Sequence, residues 1–197
     1  MTSTRTHLLV LAALAVVIFV SCGTAIIRKD QQRIAIANDV YLVLPQANEL
    51  NESFNAIQAI AAEYEDRSFS FEAHLEARPG RITIVALNPL GAALFSITFD
   101  GTTLEASGSA DAQLVSAEYV LADVLLAHWD VDWLNQRLEG ASIETAQTGD
   151  ERFVTRQEDL IMGISYESAD PWGGTAKLTH IERQYVLHIR TAEFTSK

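Results

Sequence analysis

From residue 68 to residue 191 this chain repeats one pattern, apolar and polar residues in alternation broken by tight turns, and it leaves that pattern once for a helical period. Phe69, Phe71, Ala73 and Leu75 alternate with Ser68, Ser70, Glu72, His74 and Glu76, the signature of a strand with one wet face. Arg78-Pro79-Gly80 turns the chain, and residues 81–88 are apolar on both parities, which predicts a strand covered on both sides. Asn88-Pro89-Leu90-Gly91 interrupts it, residues 94–99 resume as a strand, and Asp100-Gly101 forms a hairpin turn into Leu104. The change of period comes at Ala117, Val120, Leu121, Val124, Leu125 and His128, which fall on one stripe of an amphipathic helix. A second short helix is predicted over 132–138, with Gly140 near its end. Strands return at 142–147, 151–156, 160–166, 176–182 and 185–191, the first two joined by Thr148-Gly149-Asp150.

Consecutive short strands with tight turns and no βαβ alternation predict a mainly β, α+β domain: a curved, antiparallel, unclosed β-barrel capped by one or two short helices. The helix has to bury its apolar stripe, and the concave face of the sheet is the one large apolar surface that can take it. The helices should then act as a lid. Where the lid leaves the concavity unfilled, a lipid-sized cavity is expected, lined by Phe69, Phe71, Ile84, Phe95, Ile97 and Phe99 with Leu121 and Leu125 opposite.

The first residues carry a different message. Arg5 precedes an unbroken apolar run from Leu8 to Val20, shorter than the roughly 20 residues of a spanning helix, so it reads as an export signal. Phe19-Val20-Ser21-Cys22 resembles a bacterial lipobox, and Cys22 is the only cysteine. Residues 1–21 are thus expected to be removed as a signal peptide, leaving a diacylglyceryl Cys22 as anchor. Residues 22–40, which sustain no period, read as a lipidated tether into one domain over 41–197. Gly23 after the cysteine favours sorting to the outer membrane, facing the periplasm. A single cysteine committed to lipid permits no intramolecular disulfide. Loss of Arg5, the only formally charged residue before Cys22, takes the net charge from −12 to −13, which excludes nucleic acid and an electrostatic grip on anionic lipid.

Sharper chemistry finds little support. His128, Asp130 and Asp132 could ligate a metal, but His128 closes the helical stripe and Asp130 or Asp132 is placed to cap the next helix, so no metal is expected. His180 and His188 read as cross-strand surface residues, and Trp172 beside Gly173-Gly174 reads as the closure of a barrel edge. No serine sits in a nucleophile elbow and no glycine-rich loop opens a helix, so neither catalysis nor a cofactor is expected. The acidic surface led by Glu63, Glu65, Asp66, Glu158 and Asp159 reads as a solvated face.

Val85-Ala86-Leu87-Asn88-Pro89-Leu90-Gly91, followed by an apolar strand, a turn, a helix and Trp133-Leu134, resembles the LolB family of outer-membrane lipoprotein receptors. Together with Val120-Leu121-Ala122-Asp123, His128-Trp129 and Asp170-Pro171-Trp172-Gly173-Gly174, it also resembles an uncharacterised family of proteobacterial lipoproteins encoded near aryl-polyene or fatty-acid-type gene clusters. The resemblance implies a LolA/LolB-like unclosed barrel that takes acyl chains or lipoprotein cargo from a LolA-like periplasmic carrier. It also implies that Asn88, Pro89, Leu90 and Gly91 form a membrane-insertion loop with Leu90 protruding. Pro89 cannot donate to a ladder and Gly91 permits a tight turn, which independently places a bulky apolar side chain at a loop tip. The reading is of a monomeric lipid-binding lipoprotein without catalysis. Its rivals are a structural lipoprotein with a filled core and a surface-anchored hydrolase using the His128 and Asp130 region.

Overall fold

Side-chain alternation on one long strand sets the inner wall of the molecule. The computed structural model describes residues 25–27, 33–108 and 116–196. Its elements are β1 (Ala25–Ile27), β2 (Arg33–Ala37), β3 (Val40–Val43), a 3₁₀ turn (Ala47–Glu49), β4 (Phe54–Tyr64), β5 (Arg67–Arg78), β6 (Arg81–Leu87), β7 (Ala93–Phe99) and β8 (Leu104–Gly108). Helices α1 (Ala117–His128) and α2 (Val131–Asn135) follow, then β9 (Leu138–Glu139), β10 (Ser142–Thr145), β11 (Glu151–Arg156), β12 (Asp159–Tyr166), β13 (Thr175–His180) and β14 (Tyr185–Ser196).

Eleven strands pair antiparallel in the order β1-β8-β7-β6-β5-β4-β14-β13-β12-β11-β10, and β2-β3-β9 form a second sheet. The end strands β1 and β10 do not meet, so the barrel is unclosed, as the alternation predicts. Register carries one row of side chains across it: Leu75 opposes Ala56 and Ile84, and Ile84 opposes Ile97. Ala73, Leu75, Ala77, Ile82, Ile84, Ile97 and Phe99 are all buried on this inner face. On β6 only Ile82, Ile84 and Ala86 are buried, while Thr83, Val85 and Leu87 are half-covered, so the strand is not enclosed on both sides. Among the described residues no helix is long and apolar enough to cross a membrane.

Helix α1 occupies the residues the period predicts and covers the concave face, but it is buried on both sides instead of showing one face to water. Leu121, Ala122, Val124, Leu125, Leu126, Ala127 and His128 are all buried, more than one stripe of its surface. The second sheet explains this, because α1 lies between it and the main sheet, with Ile34, Ile36, Val40 and Leu42 in the same core. Residues 33–40, read from the sequence as tether, thus include β2 and the start of β3, and Ala25–Ile27 adds β1 to the edge of the main sheet. The last carbonyls of α1 would otherwise be orphaned. The buried Arg152 guanidinium donates to the carbonyls of Leu126 (3.1 Å), Ala127 (3.3 Å) and Trp129 (2.7 Å), and Tyr166 Oη donates to Ala127 (2.6 Å).

Asp130 caps α2, its side chain accepting from the Trp133 amide at 2.9 Å. The helix is shorter than the predicted 132–138 because the Asn135 amide clasps both backbone groups of Ile143, at 2.8 and 2.9 Å, and the chain turns into β9.

Candidate functional site

Between β6 and β7 the chain makes a loop whose geometry is held by one side chain. Asn88 Oδ1 accepts from the amides of Leu90 and Ala92, both at 2.9 Å. The backbone closes the same turn: Asn88 donates to the Ala92 carbonyl and Gly91 to the Asn88 carbonyl, each at 2.8 Å. Gly91 sits at φ 79°, a left-handed conformation that a side chain would strain. Pro89 fixes its own φ. The result is a rigid tip from which Leu90 projects, 92% exposed, the most solvent-exposed of the large apolar side chains among the described residues. Burying such a leucine in an apolar medium would gain roughly 2 kcal/mol.

The residues expected to line a cavity divide into two groups. Ile84, Ile97, Phe99, Leu121 and Leu125 lie on the expected face but are 0–2% exposed, packed into one continuous core. They fill the concavity instead of lining a space in it, because α1 is pressed onto the sheet from behind. Phe69, Phe71 and Phe95 continue the same face beyond that cover. Phe69 and Phe71 stack at 6.2 Å, and Phe71 meets Phe95 edge-on at 5.7 Å. Phe95 rests over Gly108, its cross-strand partner, where an added Cβ would come within 2.9 Å of the Phe95 Cβ. Phe69 is 42% exposed, and half-covered Ile60 opposes Phe71 in the register. This ladder of rings is an apolar mouth at one end of the concave face.

The grooves in the surface lie elsewhere. One of about 960 Å³ is bordered by Ser70, Glu72, Lys177, His188 and Arg190, and Pro89 reaches its rim. These side chains alternate with the buried rows, so the groove lies on the sheet face turned away from the helices. A smaller one of about 290 Å³, with Ile57, His74 and Val85 in its wall, lies on the same outer face. The sequence reading missed both, because only register shows that the small outward side chains Ala59 and Ala61 fall between rows of long polar ones.

The polar residues singled out for chemistry serve structure. Imidazole of His128 is buried, stacked on Trp172 at 3.9 Å, and paired through Nε2 with Gln58 Nε2 at 3.1 Å. Burial, and then the Arg152 guanidinium, push it down to about 3, so it is neutral. Gln58 then donates to Nε2, and Nδ1 is left without a formed hydrogen bond although the Pro171 carbonyl is nearby. Asp130 is spent on the α2 cap and Asp132 is exposed in its first turn, so the three residues do not converge. Trp172 is sandwiched by His128 and Phe194 (4.7 Å) and touches Phe54 (4.6 Å), closing one end of the barrel. His188 is exposed as expected, but His180 is 1% exposed, its Nε2 on the Ile36 carbonyl at 2.8 Å, because β2 covers it. A further cluster not foreseen joins α1 to the β13–β14 turn. Tyr185 Oη donates to both Asp123 oxygens (2.7 and 2.8 Å), and Arg183 lies 3.5 Å over the Tyr119 ring. Cys22, expected as the lipid anchor, and residues 1–21, expected as a signal peptide, fall outside the described residues.

None of the curated proteins compared with the chain matches it. Among solved structures, similar chains include a LolA-superfamily protein from Nitrosomonas europaea, 11% identical over 77% of this chain and 90% of that one, with a TM-score of 0.40. Another is described as an outer membrane lipoprotein-sorting protein domain from Vibrio parahaemolyticus (9% identity, 74% and 86% covered, TM-score 0.38). A third belongs to the DUF1329 family, from Desulfovibrio piger (9% identity, 77% and 89% covered, TM-score 0.34). The pattern of the family described as "Protein of unknown function (DUF3261)" matches residues 55–193, from the second residue of β4 to within three residues of the end of β14, and the chain belongs to that family.

Proposed function

We propose that the protein is a non-enzymatic, lipid-anchored factor of the outer membrane that faces the periplasm, enters the bilayer with Leu90 and receives or inserts acyl-bearing cargo. The observation that carries this reading is the exposure of Leu90, 92%, on a tip held by four hydrogen bonds. A leucine kept in water by a rigid loop has an obvious destination in an apolar phase. Cys22 supplies the permanent anchor once residues 1–21 are removed, and the Phe69, Phe71 and Phe95 mouth receives the acyl chain. The cargo is a lipid or the acylated end of a lipoprotein, handed over by a LolA-like carrier.

The filled core favours one rival, an interaction lipoprotein whose barrel is packed by its own side chains. Native mass spectrometry of the mature protein, extracted from membranes in mild detergent, separates the two. The lipid-handling reading expects a chain starting at an acylated Cys22 with a co-purified lipid that Phe71→Ala loses. A chain that carries no lipid, with Leu90→Glu delivering cargo as well as the wild type, would leave the scaffold.

A further inference from the structure

The groove on the outer face is built at the level where a bilayer entered by Leu90 would present its head groups, since Pro89 forms part of its rim. Its floor is Ala59 and Ala61 on β4. Register sets Arg190 and Glu72 on opposite sides of Ala59, and His188 and Ser70 on opposite sides of Ala61. Two strand spacings, about 10 Å, therefore separate the Arg190 and Glu72 backbones across a floor of methyl groups. Lys177 opposes His188 and Thr175 opposes Arg190, which brings Lys177 and Arg190 to one wall.

The charges here are unspent. Lys177 is the only lysine among the described residues, and neither it nor Arg190 makes a salt bridge among them. Arg33, Arg78, Arg137 and Arg156 each pair with a glutamate, Arg152 and Arg183 spend their guanidinium groups on backbone carbonyls, and Arg67 and Arg81 make no salt bridge among the described residues. His188 lies 3.6 Å from Glu63, so it is not counted. A carboxylate flanks the cations on each side, Glu72 across Ala59 and Glu167 beyond Thr175. Glu72 meets His74 through Oε1 (2.6 Å), and Glu167 accepts from Thr175 through Oε2 (3.0 and 3.2 Å), so each keeps one oxygen free among the described residues.

We infer that this groove holds a phosphoethanolamine head group, its phosphate on Lys177 and Arg190 and its ammonium on the free oxygen of Glu72, across the alanine floor. Two cations facing a carboxylate across the floor suit a zwitterion better than a simple anion, which Glu72 and the flanking Glu167 would repel. The ammonium form is specified by hydrogen bonding: an –NH₃⁺ donates to carboxylate oxygens, whereas a trimethylammonium cannot and needs an aromatic cage. The two aromatic residues beside the groove turn their rings to the other face. Phe71 lies against Phe69 and Phe95, and Tyr166 Oη is on the Ala127 carbonyl. The inference rests on the membrane contact of Leu90 only for the source of the head group.

The test titrates the mature, lipidated protein in mild detergent with soluble glycerophosphoethanolamine and glycerophosphocholine, which have no acyl chains and so bypass Leu90. Saturable binding of the first, about fivefold tighter than the second, is expected, and Lys177→Gln with Arg190→Gln should weaken it by about the same factor at unchanged Tm. Leu90→Glu should bind the soluble head group like the wild type. Absence of saturable binding, equal affinity for the two head groups, or wild-type binding by the double variant would overturn the site. Dihexanoylphosphatidylethanolamine then distinguishes the sources: it should bind more tightly than glycerophosphoethanolamine in the wild type but not in Leu90→Glu. Equal affinity in the wild type would overturn the bilayer as source and assign the groove to a free phosphoethanolamine. Loss of the Leu90 effect alone thus breaks the membrane reading and spares the groove.

Discussion

The two ends of the concave face are built from the same alternation and end in opposite states. Under α1, Leu75, Ile84, Ile97 and Phe99 meet Leu121 and Leu125 and are shut from water. Toward the β4–β5 turn, Phe69 is 42% exposed and Phe71 and Ile60 are half-covered. The apolar content of the two ends is comparable, so hydrophobicity does not separate them. What separates them is cover, supplied to the first end by a helix that the second sheet presses down from residues 33–43. Parity decides which face a side chain belongs to, and a distant segment decides whether that face becomes core or surface.

Stability measurements are the most direct way to break this comparison. Leu125→Ala removes a fully buried side chain between two sheets and should cost about 3 kcal/mol in urea unfolding. Phe71→Ala deletes a larger side chain, yet at a half-covered site it should cost only about 1 kcal/mol while abolishing lipid retention. Equal losses at the two positions would show that both ends are core.

Titration sharpens the contrast along α1 itself, because its middle, at Asp123, and its C-terminus, at His128, respond to pH with opposite sign. Burial pushes the Asp123 carboxyl up to about 7 from 3.8, against the Tyr185 hydrogen bond and the Arg183 charge. The folded state therefore holds that proton more tightly, and this contribution is complete below pH 3.8 and is lost as pH rises through about 7. His128 is depressed from 6.5 to about 3, so its contribution is complete above pH 6.5 and is lost as pH falls toward 3. Asp123→Asn should flatten the neutral side of the stability profile, and His128→Gln the acid side. Profiles from chemical denaturation that leave both limbs unchanged would remove the assignment.

Much of the fold is legible where a pattern is local. The helix over Ala117–His128, the β5 and β6 strands around Pro79-Gly80, and the strands of the last third need only period and turn residues. Strand β4 is hidden, because Ala56, Ala59, Ala61 and Ala62 make Phe54–Tyr64 helix-like in composition and its hairpin turns at Glu65, a left-handed residue without glycine. Yet β4 is the middle of the sheet. The small sheet escapes notice for another reason: β2 and β3 are only five and four residues long, and β3 pairs with two residues of β9 about a hundred positions away, a contact no window contains. The site follows the same rule. Leu90 at a loop tip is readable from Pro89 and Gly91, whereas the filled cavity and the outer groove depend on pairings between remote strands.

The Leu90 loop offers the finest test, since it hangs from β6, whose inner residues belong to the packed end. If its exposure is enforced by the loop and owes nothing to missing cover, Leu90→Glu should change unfolding free energy by less than about 0.5 kcal/mol and still abolish insertion into a lipid monolayer. Asn88→Ala is subtler. It removes the two side-chain bonds to the Leu90 and Ala92 amides but leaves both backbone bonds and the leucine in place. Amide exchange at Leu90 and Ala92 should quicken with little change elsewhere, and insertion should weaken without vanishing, because a looser tip pays an ordering entropy that the wild-type loop has already met. Unchanged exchange at those two amides would mean that the backbone turn alone holds Leu90 out.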